Sequence, residues 1–393
     1  MPGSVILSGA RTPIGKMSGS LSGFEATDLG GIAIKAALER AGLSGEQIDY
    51  VFMGQVLLAG AGQMTARQAA IKGGVPMKTP STTVNKVCLS GLNAIILADL
   101  YIQNGLADIV IAGGMESMTN APYLLPGARA GLRMGDGKVV DSMMFDGLFC
   151  AVDQLAMGAG TEKYAATRGL SRESQDELAA MSHERAAKAQ KDGYFDAEIV
   201  KVEIPQRKGD PVLFSEDEGV RGETTLESLG SLRPAFDKAG NITAGNASQI
   251  SDGGSAMVIA SEAAAEKLGI APMARVLGYG QVAGPDASLL DQPANAINDA
   301  LARAGMKVSD IDLFELNEAF AAVGVASMET LGITPEVTNV NGGAIALGHP
   351  IGMSGNRVVL HLLNELRRRG GGKGAAALCG GGGQGDALLF ETL

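Results

Sequence analysis

Short apolar runs alternate along the chain with longer segments in which apolar residues recur every three or four positions. Val5–Ser8 and Ile109–Ala112 are typical of buried strands, and the second run is expected to enter a turn at Gly113–Gly114. This alternation of strands and helices predicts a layered α/β fold. Two helices are predicted by their apolar stripes, which are Leu29, Ile32, Ala33 and Ala36 (ended by Gly42) and Val359, Leu362, Leu363 and Leu366.

One sequence pattern occurs twice, far apart in the chain. The segment Ala37–Gly42 recurs with one change as Ala300–Gly305, and Ile48 with its following Asp recurs at the same offset at Ile311. A spacing this long indicates a duplicated domain and not a solenoid of short repeats. The expected fold is therefore α/β with two similar βαβ-based halves.

A region of different composition separates the two halves. It holds several Pro, Gly and Met residues, followed by a charged helix predicted at Ser171–Lys191 with Ser171 as its N-cap. Arg207, Lys208 and Arg221 give this region local positive charge, which either binds phosphate or belongs to a solvated surface. The predicted division is 1–120 for the N-terminal half, 121–248 for an inserted loop domain, 249–271 for the completion of the N-terminal half and 272–393 for the C-terminal half.

Composition narrows the class of protein. The chain has 393 residues, 46% of them hydrophobic and 19% charged, which favours a globular protein of two or three domains. A net charge of −11 argues against nucleic-acid binding. The three widely spaced cysteines do not form a disulfide framework. With neither a secretory signal nor an apolar run of about 18 residues, we expect a cytoplasmic protein without membrane association.

One histidine and two cysteines stand in glycine-rich turns, where the backbone can close on a ligand. Cys88 precedes a helix-forming run, where a thiol should have a lowered pKa, although a free cysteine is commonly just a small buried hydrophobe. His349 is followed by proline. Cys379 ends an apolar strand and opens the run Gly380–Gly383, whose amides can form an oxyanion hole. Two thiols and an imidazole in such turns indicate nucleophilic chemistry on an acyl group.

The remaining histidines and cysteine receive structural interpretations. His183 and His361 fall on predicted helices and are expected to face solvent, and Cys150 is expected to be structural. A metal site is not expected, because the cysteines and histidines form no C-x₂-C or H-x₃-H pair. Two polar turns, Ala244–Asp252 and Asn317–Phe320, are suited to a narrow ligand or an ordered water, but neither is diagnostic alone.

Taken together, these segments resemble the thiolase family over almost the whole chain. The resemblance implies the thiolase fold, in which two similar halves form a layered αβαβα arrangement with an inserted loop domain. The matching motifs occur in family order: Arg11–Gly15, Cys88 with Ser90 and Gly91, Ala244–Ser248, Asn317–Phe320, Gly348–Pro350 with Gly352, Ser354 and Gly355, and Cys379 with its glycine run.

The resemblance also implies a role for each matching catalytic residue. Cys88 would take the acetyl group as a thioester, and His349 would be its base and later part of an oxyanion hole. Asn317 would hold the water that completes that hole. Cys379 would be the acid/base that deprotonates the second acetyl-CoA. The backbone amides of Cys88 and Gly381 would form a second oxyanion hole.

The activity implied is that of an acetyl-CoA C-acetyltransferase, which reversibly condenses two acetyl-CoA to acetoacetyl-CoA and CoA. CoA is then a substrate, and no metal or redox cofactor is needed. Met157 would narrow the acyl pocket, as in short-chain biosynthetic members. Ala244 and Ser248 would contact the pantetheine arm, and Phe320 would also bind the substrate. Arg221 is a candidate for binding the CoA nucleotide.

Three departures from the family pattern bear on chain length. Leu89 stands where members commonly have the smaller Gly or Ala, and Ala156 stands where many have the polar His. The segment Asp286–Pro293 does not match the corresponding family loop. Leu89 is therefore expected to change the pocket wall. A degradative 3-ketoacyl-CoA thiolase of fatty acid metabolism and a non-catalytic acyl-CoA-binding homologue are the alternatives. The family also implies a homo-oligomer, and we expect a homotetramer built as a dimer of dimers.

Overall fold

A computed structural model describes residues 4–393 of the chain. Among the described residues, no helix combines the length and the apolar character needed to cross a membrane. The strands are β1 (Val5–Arg11), β2 (Gly15–Lys16), β3 (Tyr50–Gly54), β4 (Ser81–Val84), β5 (Ile109–Ser117), β6 (Tyr123–Leu124), β7 (Val140–Asp141), β8 (Phe149–Cys150), β9 (Leu155–Ala156), β10 (Val202–Ile204), β11 (Val212–Phe214), β12 (Ser251–Ala260), β13 (Ala274–Ala283), β14 (Leu313–Leu316), β15 (Lys373–Gly380) and β16 (Gln384–Thr392). The helices are α1 (Ala26–Ala41), α2 (Thr65–Lys72), α3 (Ser90–Gln103), α4 (Met157–Arg168), α5 (Arg172–Lys191), α6 (Leu226–Gly230), α7 (Glu262–Leu268), α8 (Gln292–Ala304), α9 (Ala321–Leu331), α10 (Ala344–Leu347) and α11 (Ser354–Arg368).

One mixed sheet runs through the molecule in the strand order β14-β15-β16-β13-β1-β12-β5-β3-β4, with β2 paired to β12. Parallel pairing is confined to β14–β15 in one half and to β3–β4 and β3–β5 in the other, among the described strands. The two halves of the sheet meet where Val5 and Ile6 pair with Arg275 and Ala274. Each half therefore combines parallel strands at its outer edge with antiparallel strands at the junction.

Helices cover both faces of each half of the sheet. α1 and α2 pack on the N-terminal half, and α8 packs on the C-terminal half beside α9. Between the halves, α3 and α11 contact each other and strands of both halves, with Leu92, Ile95, Val358 and Leu362 in the shared apolar core. The layers thus follow the order αβαβα, as the sequence analysis predicts. Burial of these apolar side chains is the main stabilising contribution to such a core.

The sequence repeat marks the same helix end in both halves. Ala37–Gly42 forms the last turn of α1, and Ala300–Gly305 forms the last turn of α8. Both glycines have a left-handed φ of +67°, which ends a helix at little steric cost. Each helix then leads through a short turn into a parallel strand, β3 or β14. The duplication predicted from the sequence therefore corresponds to a repeated α–β unit.

The prediction of a turn at Gly113–Gly114 is wrong, because both glycines lie inside β5, which continues to Ser117. A Cβ atom at Gly113 would overlap the carbonyl oxygen of Ser255, and one at Gly114 would overlap that of Gly352. These glycines therefore allow close approach of backbone rather than a change of chain direction. The approach at Gly114 brings the loop that follows His349 against the strand.

The region between the halves contains three short ribbons and the helices α4, α5 and α6. Ser171 caps α5 as predicted, since its hydroxyl oxygen accepts from the Ser174 amide at 3.0 Å. Arg11, at the end of β1, anchors this region through ion pairs of 2.7 Å with Glu198 and Asp217. All three side chains are fully buried. Removing one partner from a buried network of this kind costs about 3–5 kcal/mol.

Candidate active site

Cys88, His349 and Cys379 line one cavity of about 290 Å³. Cys88 lies just before α3, His349 lies five residues before α11, and Cys379 lies near the end of β15. Because α3 and α11 form the central layer, their N-terminal ends meet where β15 turns into β16. The structure thus brings together the three reactive side chains that the sequence analysis singles out.

The turn that carries Cys88 has an unusual backbone. Val87 has a φ of +52°, in the left-handed region that a β-branched residue rarely adopts. Its amide donates to Asn85 Oδ1 at 3.1 Å, and its carbonyl accepts from the Ser90 hydroxyl at 2.6 Å. Ser90 Oγ also accepts from the Lys86 amide at 2.8 Å. Side-chain hydrogen bonds therefore hold the turn that presents the thiol.

The expectation of a lowered pKa at Cys88 is wrong. Burial raises the pKa of the Cys88 thiol to about 12, and the negative charge of Glu116 contributes in the same direction. Hydrogen bonds from the backbone amides of Cys88 and Gly381 oppose this rise but are smaller than the effect of burial. The thiol is therefore protonated at neutral pH and needs a base to become a nucleophile.

His349 has a defined tautomer in the same cavity wall as Cys88. Its Nδ1 lies 2.6 Å from Ser354 Oγ, and the Ser354 hydroxyl donates to the Pro350 carbonyl at 2.9 Å. Since that hydroxyl hydrogen is already committed, Nδ1–H is the donor to Ser354, and Nε2 keeps its lone pair. Burial lowers the pKa of His349 to about 3, with a smaller effect from the Arg357 charge. The imidazole is therefore neutral at neutral pH and able to accept a proton.

Asn317 lies beside His349 at the end of β14. Its Nδ2 is 3.5 Å from His349 Nε2, and its backbone amide donates to the Ala377 carbonyl of β15 at 3.0 Å. The Asn317 side chain is fully buried, and within residues 4–393 its Oδ1 has no hydrogen-bond partner. A buried amide oxygen of this kind calls for a donor from a ligand or an ordered water.

Glu116 supports the loops around this site, a role that sequence reasoning missed. Its carboxylate accepts from the amides of Val56 at 3.0 Å, Leu57 at 3.1 Å and Gly352 at 2.9 Å. Burial raises the pKa of Glu116 to about 7 despite these hydrogen bonds. The position of Glu116 two residues after Gly114 on β5 is the signal that could have identified it. Glu116 ties β5 to the loop that continues from His349.

Cys379 is buried against Leu289, Leu290 and Ala319. Burial raises the pKa of its thiol above the ordinary value, and the nearby Cys88 charge raises it further. Cys379 is followed by the glycine turn, in which Gly381 also lines the cavity. The resting state of Cys379 is therefore the protonated thiol, which can donate a proton.

Met157, Ser248 and Phe320 line the same cavity as the three reactive side chains. Phe236, which sequence reasoning missed, packs edge-on to Phe320 with ring centroids 6.5 Å apart. Its ring also lies against α4, where a Cβ atom at Gly158 would overlap it. Together these side chains give the cavity a narrow apolar wall. A lone phenylalanine in an irregular segment has no sequence pattern that would assign it to this wall.

Three residues that the sequence analysis singles out for CoA binding or for the pocket wall do not line the cavity. Within residues 4–393, the cavity wall includes neither Ala244 nor Arg221, both of which are exposed. Leu89 also lies outside it and packs beneath the glycine turn, since a Cβ atom at Gly380 would lie 2.6 Å from Leu89 Cγ. Leu89 can therefore affect the pocket wall only through the glycine turn that it supports. Ala156, by contrast, does line the cavity.

The prediction that His183 and His361 face solvent is also wrong, because both are buried. His361 lies on α11 in the central layer, which has no solvent face, and its Nδ1 is 3.0 Å from Glu198 Oε2. His183 accepts from the Arg221 amide at 3.2 Å through Nδ1. A helical pattern shows which face is apolar, but it does not show that a second layer covers the polar face.

Cys150, the third cysteine, is buried at the end of β8. Among the described residues it is outside the cavity that contains the other two thiols. Within residues 4–393, no three His, Cys, Asp or Glu side chains are grouped so that they could hold a metal ion. The chemistry that the described side chains supply at this site is therefore that of two thiols, a neutral imidazole, an amide and backbone N–H groups.

Comparison with known proteins agrees with this geometry. The family described as "Thiolase, N-terminal domain" matches residues 4–263, and "Thiolase, C-terminal domain" matches residues 270–392. A "Probable acetyl-CoA acetyltransferase" of Mycobacterium tuberculosis is 54% identical over 392 residues, which cover 100% of both chains. An "Acetyl-CoA acetyltransferase" of Cupriavidus necator is 52% identical over 388 residues, or 98% of both chains.

A solved structure extends the likeness to the fold. The crystal structure of the Bacillus anthracis acetyl-CoA acetyltransferase matches with a TM-score of 0.97 and 39% sequence identity, covering 100% of this chain and 99% of that chain. This confirms the fold predicted from the sequence motifs. With both domains matched and relatives more than half identical over their full length, the chain belongs to the thiolase family.

Proposed function

We propose that this chain is an acetyl-CoA C-acetyltransferase, which condenses two acetyl-CoA to acetoacetyl-CoA and CoA and also catalyses the reverse thiolysis. The observation that carries the proposal is the cavity itself, in which two protonated thiols and a neutral histidine face one narrow apolar space. A base poised at one thiol and a second thiol as acid/base are what a two-step acyl transfer needs.

In the first half-reaction, His349 Nε2 takes the proton of Cys88, and the thiolate attacks the thioester carbonyl of acetyl-CoA. The tetrahedral oxyanion is stabilised by protonated His349 and by a water held by Asn317. Expulsion of the CoA thiolate, which is protonated by Cys379, leaves the acetyl group on Cys88. The lone pair on Nε2 and the unpartnered Asn317 Oδ1 support these assignments.

In the second half-reaction, the Cys379 thiolate removes a proton from Cα of a second acetyl-CoA, whose enolate oxygen occupies the site next to His349 and Asn317. The carbanion attacks the acetyl-Cys88 carbonyl, and the backbone amides of Cys88 and Gly381 hold the new oxyanion. Collapse releases acetoacetyl-CoA and the Cys88 thiolate, which regains its proton from protonated His349. The amides of Cys88 and Gly381 both act to lower the pKa of the Cys88 thiol, so they favour negative charge at this position, which supports the second oxyanion hole.

CoA is the acyl carrier and is consumed or released as a substrate, and the proposal includes no metal or redox cofactor. Met157 limits the acyl group to short chains, while Ser248 and Phe320 flank the reacting end of the pantetheine arm. The inserted segment 121–248, with Ala244 at its border and Arg221 on its surface, carries the rest of CoA. The protein acts in the cytoplasm as a homo-oligomer, a dimer of dimers.

The test is CoA-dependent thiolysis of 3-ketoacyl-CoA substrates from four to sixteen carbons, combined with intact-mass analysis after addition of acetyl-CoA. We expect turnover confined to the four-carbon substrate and one acetyl group on Cys88. Comparable rates on long chains would replace the proposal by a degradative thiolase. CoA binding without turnover on any substrate, and without acetylation, would indicate a binding homologue. Cys88→Ala, which lacks the nucleophile, is the matched control.

A further inference from the structure

An ion pair joins the nucleophile turn to the strand behind the glycine turn. Lys86 Nζ lies 2.7 Å from Asp386 Oδ1, and the Asp386 side chain is fully buried while that of Lys86 is 22% exposed. Lys86 stands two residues before Cys88. Asp386 stands on β16 directly opposite Leu378, the residue before Cys379 on β15. The pair therefore bridges the two chain segments that carry the reactive thiols.

Asp386 also contacts two further segments around the site. Its Oδ2 accepts from Asn93 Nδ2 on α3 at 3.4 Å and from Gln281 Nε2 on β13 at 3.3 Å. α3 is the helix that follows Cys88, so two of these three partners belong to the segment that carries the nucleophile. The buried carboxylate of Asp386 thus contacts the nucleophile turn, the helix that follows it and the neighbouring strand.

The nucleophile turn needs such an anchor because of its backbone conformation. Val87, between Lys86 and Cys88, has a φ of +52°, and strained residues of this kind persist only where their surroundings determine them. The Val87 side chain lies against the glycine turn, since a Cβ atom at Gly381 would lie 3.4 Å from Val87 Cγ1. A shift of the turn would therefore move Cys88 relative to Gly381.

We propose that Lys86 and Asp386 act as a positioning pair, which fixes the Cys88 turn against the β15–β16 turn and keeps the amides of Cys88 and Gly381 directed at one point. The inference rests on the proposed acyl transfer through Cys88. Neither residue lines the cavity among the described residues, so the pair acts through the turn and not on the substrate. Its loss should lower the rate of chemistry more than it weakens substrate binding.

The charge arrangement indicates how each partner contributes. Burial raises the pKa of Asp386, and Lys86 opposes that rise through its charge and its hydrogen bond. Without Lys86, the carboxylate would be buried without a cation and would either take up a proton or draw in water. Without the Asp386 charge, Lys86 could turn towards solvent and release the turn. Removal of either partner should therefore have a similar effect, and removal of both should cost little more.

The test compares Lys86→Met, Asp386→Asn and the double variant by rapid-quench measurement of acetyl-Cys88 formation from acetyl-CoA. Each single variant should form acetyl-Cys88 about 10- to 100-fold more slowly, because a displacement of about 1 Å can cost 10²-fold in rate. The double variant should be within about threefold of the slower single variant. KM should change by less than about twofold, and Lys86→Arg should restore much of the rate because it retains the charge.

Lys78→Met is the matched control, since Lys78 pairs with Glu46 on the surface with both side chains about two-thirds exposed. It should acetylate like the wild type. Thermal unfolding identifies any variant that fails to fold. If the other variants do not fold, the test is decided by Asp386→Asn, which is nearly isosteric with the wild type. The proposed positioning pair would be wrong if a folded Asp386→Asn variant formed acetyl-Cys88 at the wild-type rate. It would also be wrong if the rate losses of the two single variants multiplied in a folded double variant. Absence of acetyl-Cys88 in the wild type would instead overturn the proposed function.

Discussion

The hydroxyl of Ser354 fixes the tautomer of His349. Ser354 Oγ lies 2.6 Å from Nδ1 and donates its own hydrogen to the Pro350 carbonyl at 2.9 Å, so Nδ1 carries the imidazole hydrogen. The lone pair is thereby placed on Nε2, the nitrogen 3.5 Å from Asn317 Nδ2. Because Cys88 is a protonated thiol at neutral pH, its activation in the proposed mechanism depends on this lone pair.

Ser354→Ala should therefore slow acetylation of Cys88. Without the hydroxyl, the imidazole can adopt the other tautomer or rotate, and we expect the rate to fall about 10- to 100-fold, within the range for loss of general base efficiency. Single-turnover acetylation with labelled acetyl-CoA measures it. Ser8→Ala is the control, since it also removes one buried hydroxyl, which donates to the Ala37 carbonyl at 2.7 Å. An equal loss in both variants would contradict the tautomer argument.

Replacement of Cys379 separates the two half-reactions. Cys379→Ser should still form acetyl-Cys88, although more slowly, because in the proposed mechanism His349 activates the nucleophile and CoA can leave as a thiolate without the proton that Cys379 supplies. Condensation should slow by about 10²- to 10⁴-fold, since a hydroxyl is a much weaker acid/base than a thiol. The measurement pairs acetylation with exchange of the Cα protons of acetyl-CoA into deuterated water. Cys150→Ser, which changes a buried thiol away from the cavity, is the control. An unchanged exchange rate in Cys379→Ser would remove Cys379 from the mechanism.

The parts of this fold and site that were predicted correctly depend on local sequence. The end of α1 at Gly42 and of α8 at Gly305 could be predicted because helix periodicity and a left-handed glycine lie in adjacent residues. The convergence of Cys88 and Cys379 is implied by the family resemblance and not by a local pattern, since Cys379 lies at the turn between β15 and β16. No local pattern, however, predicts that Phe236 closes the cavity, because that contact joins segments distant in sequence.

Burial explains the remaining errors. The expectation of a lowered pKa at Cys88 is based on the helix end alone. Burial of the thiol has a larger effect on the pKa, with the opposite sign. The glycines Gly113 and Gly114 resemble a turn in sequence, but they lie in a strand, where they allow close approach of the Ser255 carbonyl on β12 and of the loop at Gly352. In each case the deciding contact comes from a layer that the local sequence does not contain.

The buried histidine His183 should make stability depend on pH. Burial lowers its pKa to about 4, below the usual value near 6.5. Between these values the unfolded chain binds a proton at this site and the folded protein does not, so this residue lowers stability as pH falls from about 6.5 to 4. Compared with about pH 8, His183 should lower the free energy of unfolding at about pH 5 by about 1–2 kcal/mol.

His183→Gln should remove that contribution, since the glutamine oxygen can still accept from the Arg221 amide. Urea unfolding at about pH 8 and pH 5 measures the difference, and comparison within each pH cancels the effects of all other titrating groups. At each pH, the free energy of unfolding of the wild type is subtracted from that of the variant. This difference should be larger at the lower pH than at the higher pH by about 1–2 kcal/mol. A parallel decline of both proteins would show that His183 is protonated in the folded state.

Met157 lines the cavity from the first turn of α4, and in the proposed function it limits the length of the acyl group. Behind it, the α4 backbone at Gly158 lies directly against Phe236, so the helix cannot move inward to fill space left by a smaller side chain. Truncation of Met157 should therefore leave room that a longer acyl chain can occupy. The space should be apolar, since the neighbouring wall includes Leu148 and Leu289.

Met157→Ala should accordingly raise thiolysis of a six-carbon 3-ketoacyl-CoA relative to the four-carbon substrate by about 10-fold or more, the scale on which one or two methylene groups are discriminated in a pocket. The ratio of kcat/KM values for the two substrates is the quantity to measure, because it is insensitive to the amount of active enzyme. Met134→Ala changes a side chain that is 96% exposed and should leave the ratio unchanged. If the ratio stays at the wild-type value in Met157→Ala, chain length is limited elsewhere in the wall, and Phe236 is the residue to truncate next.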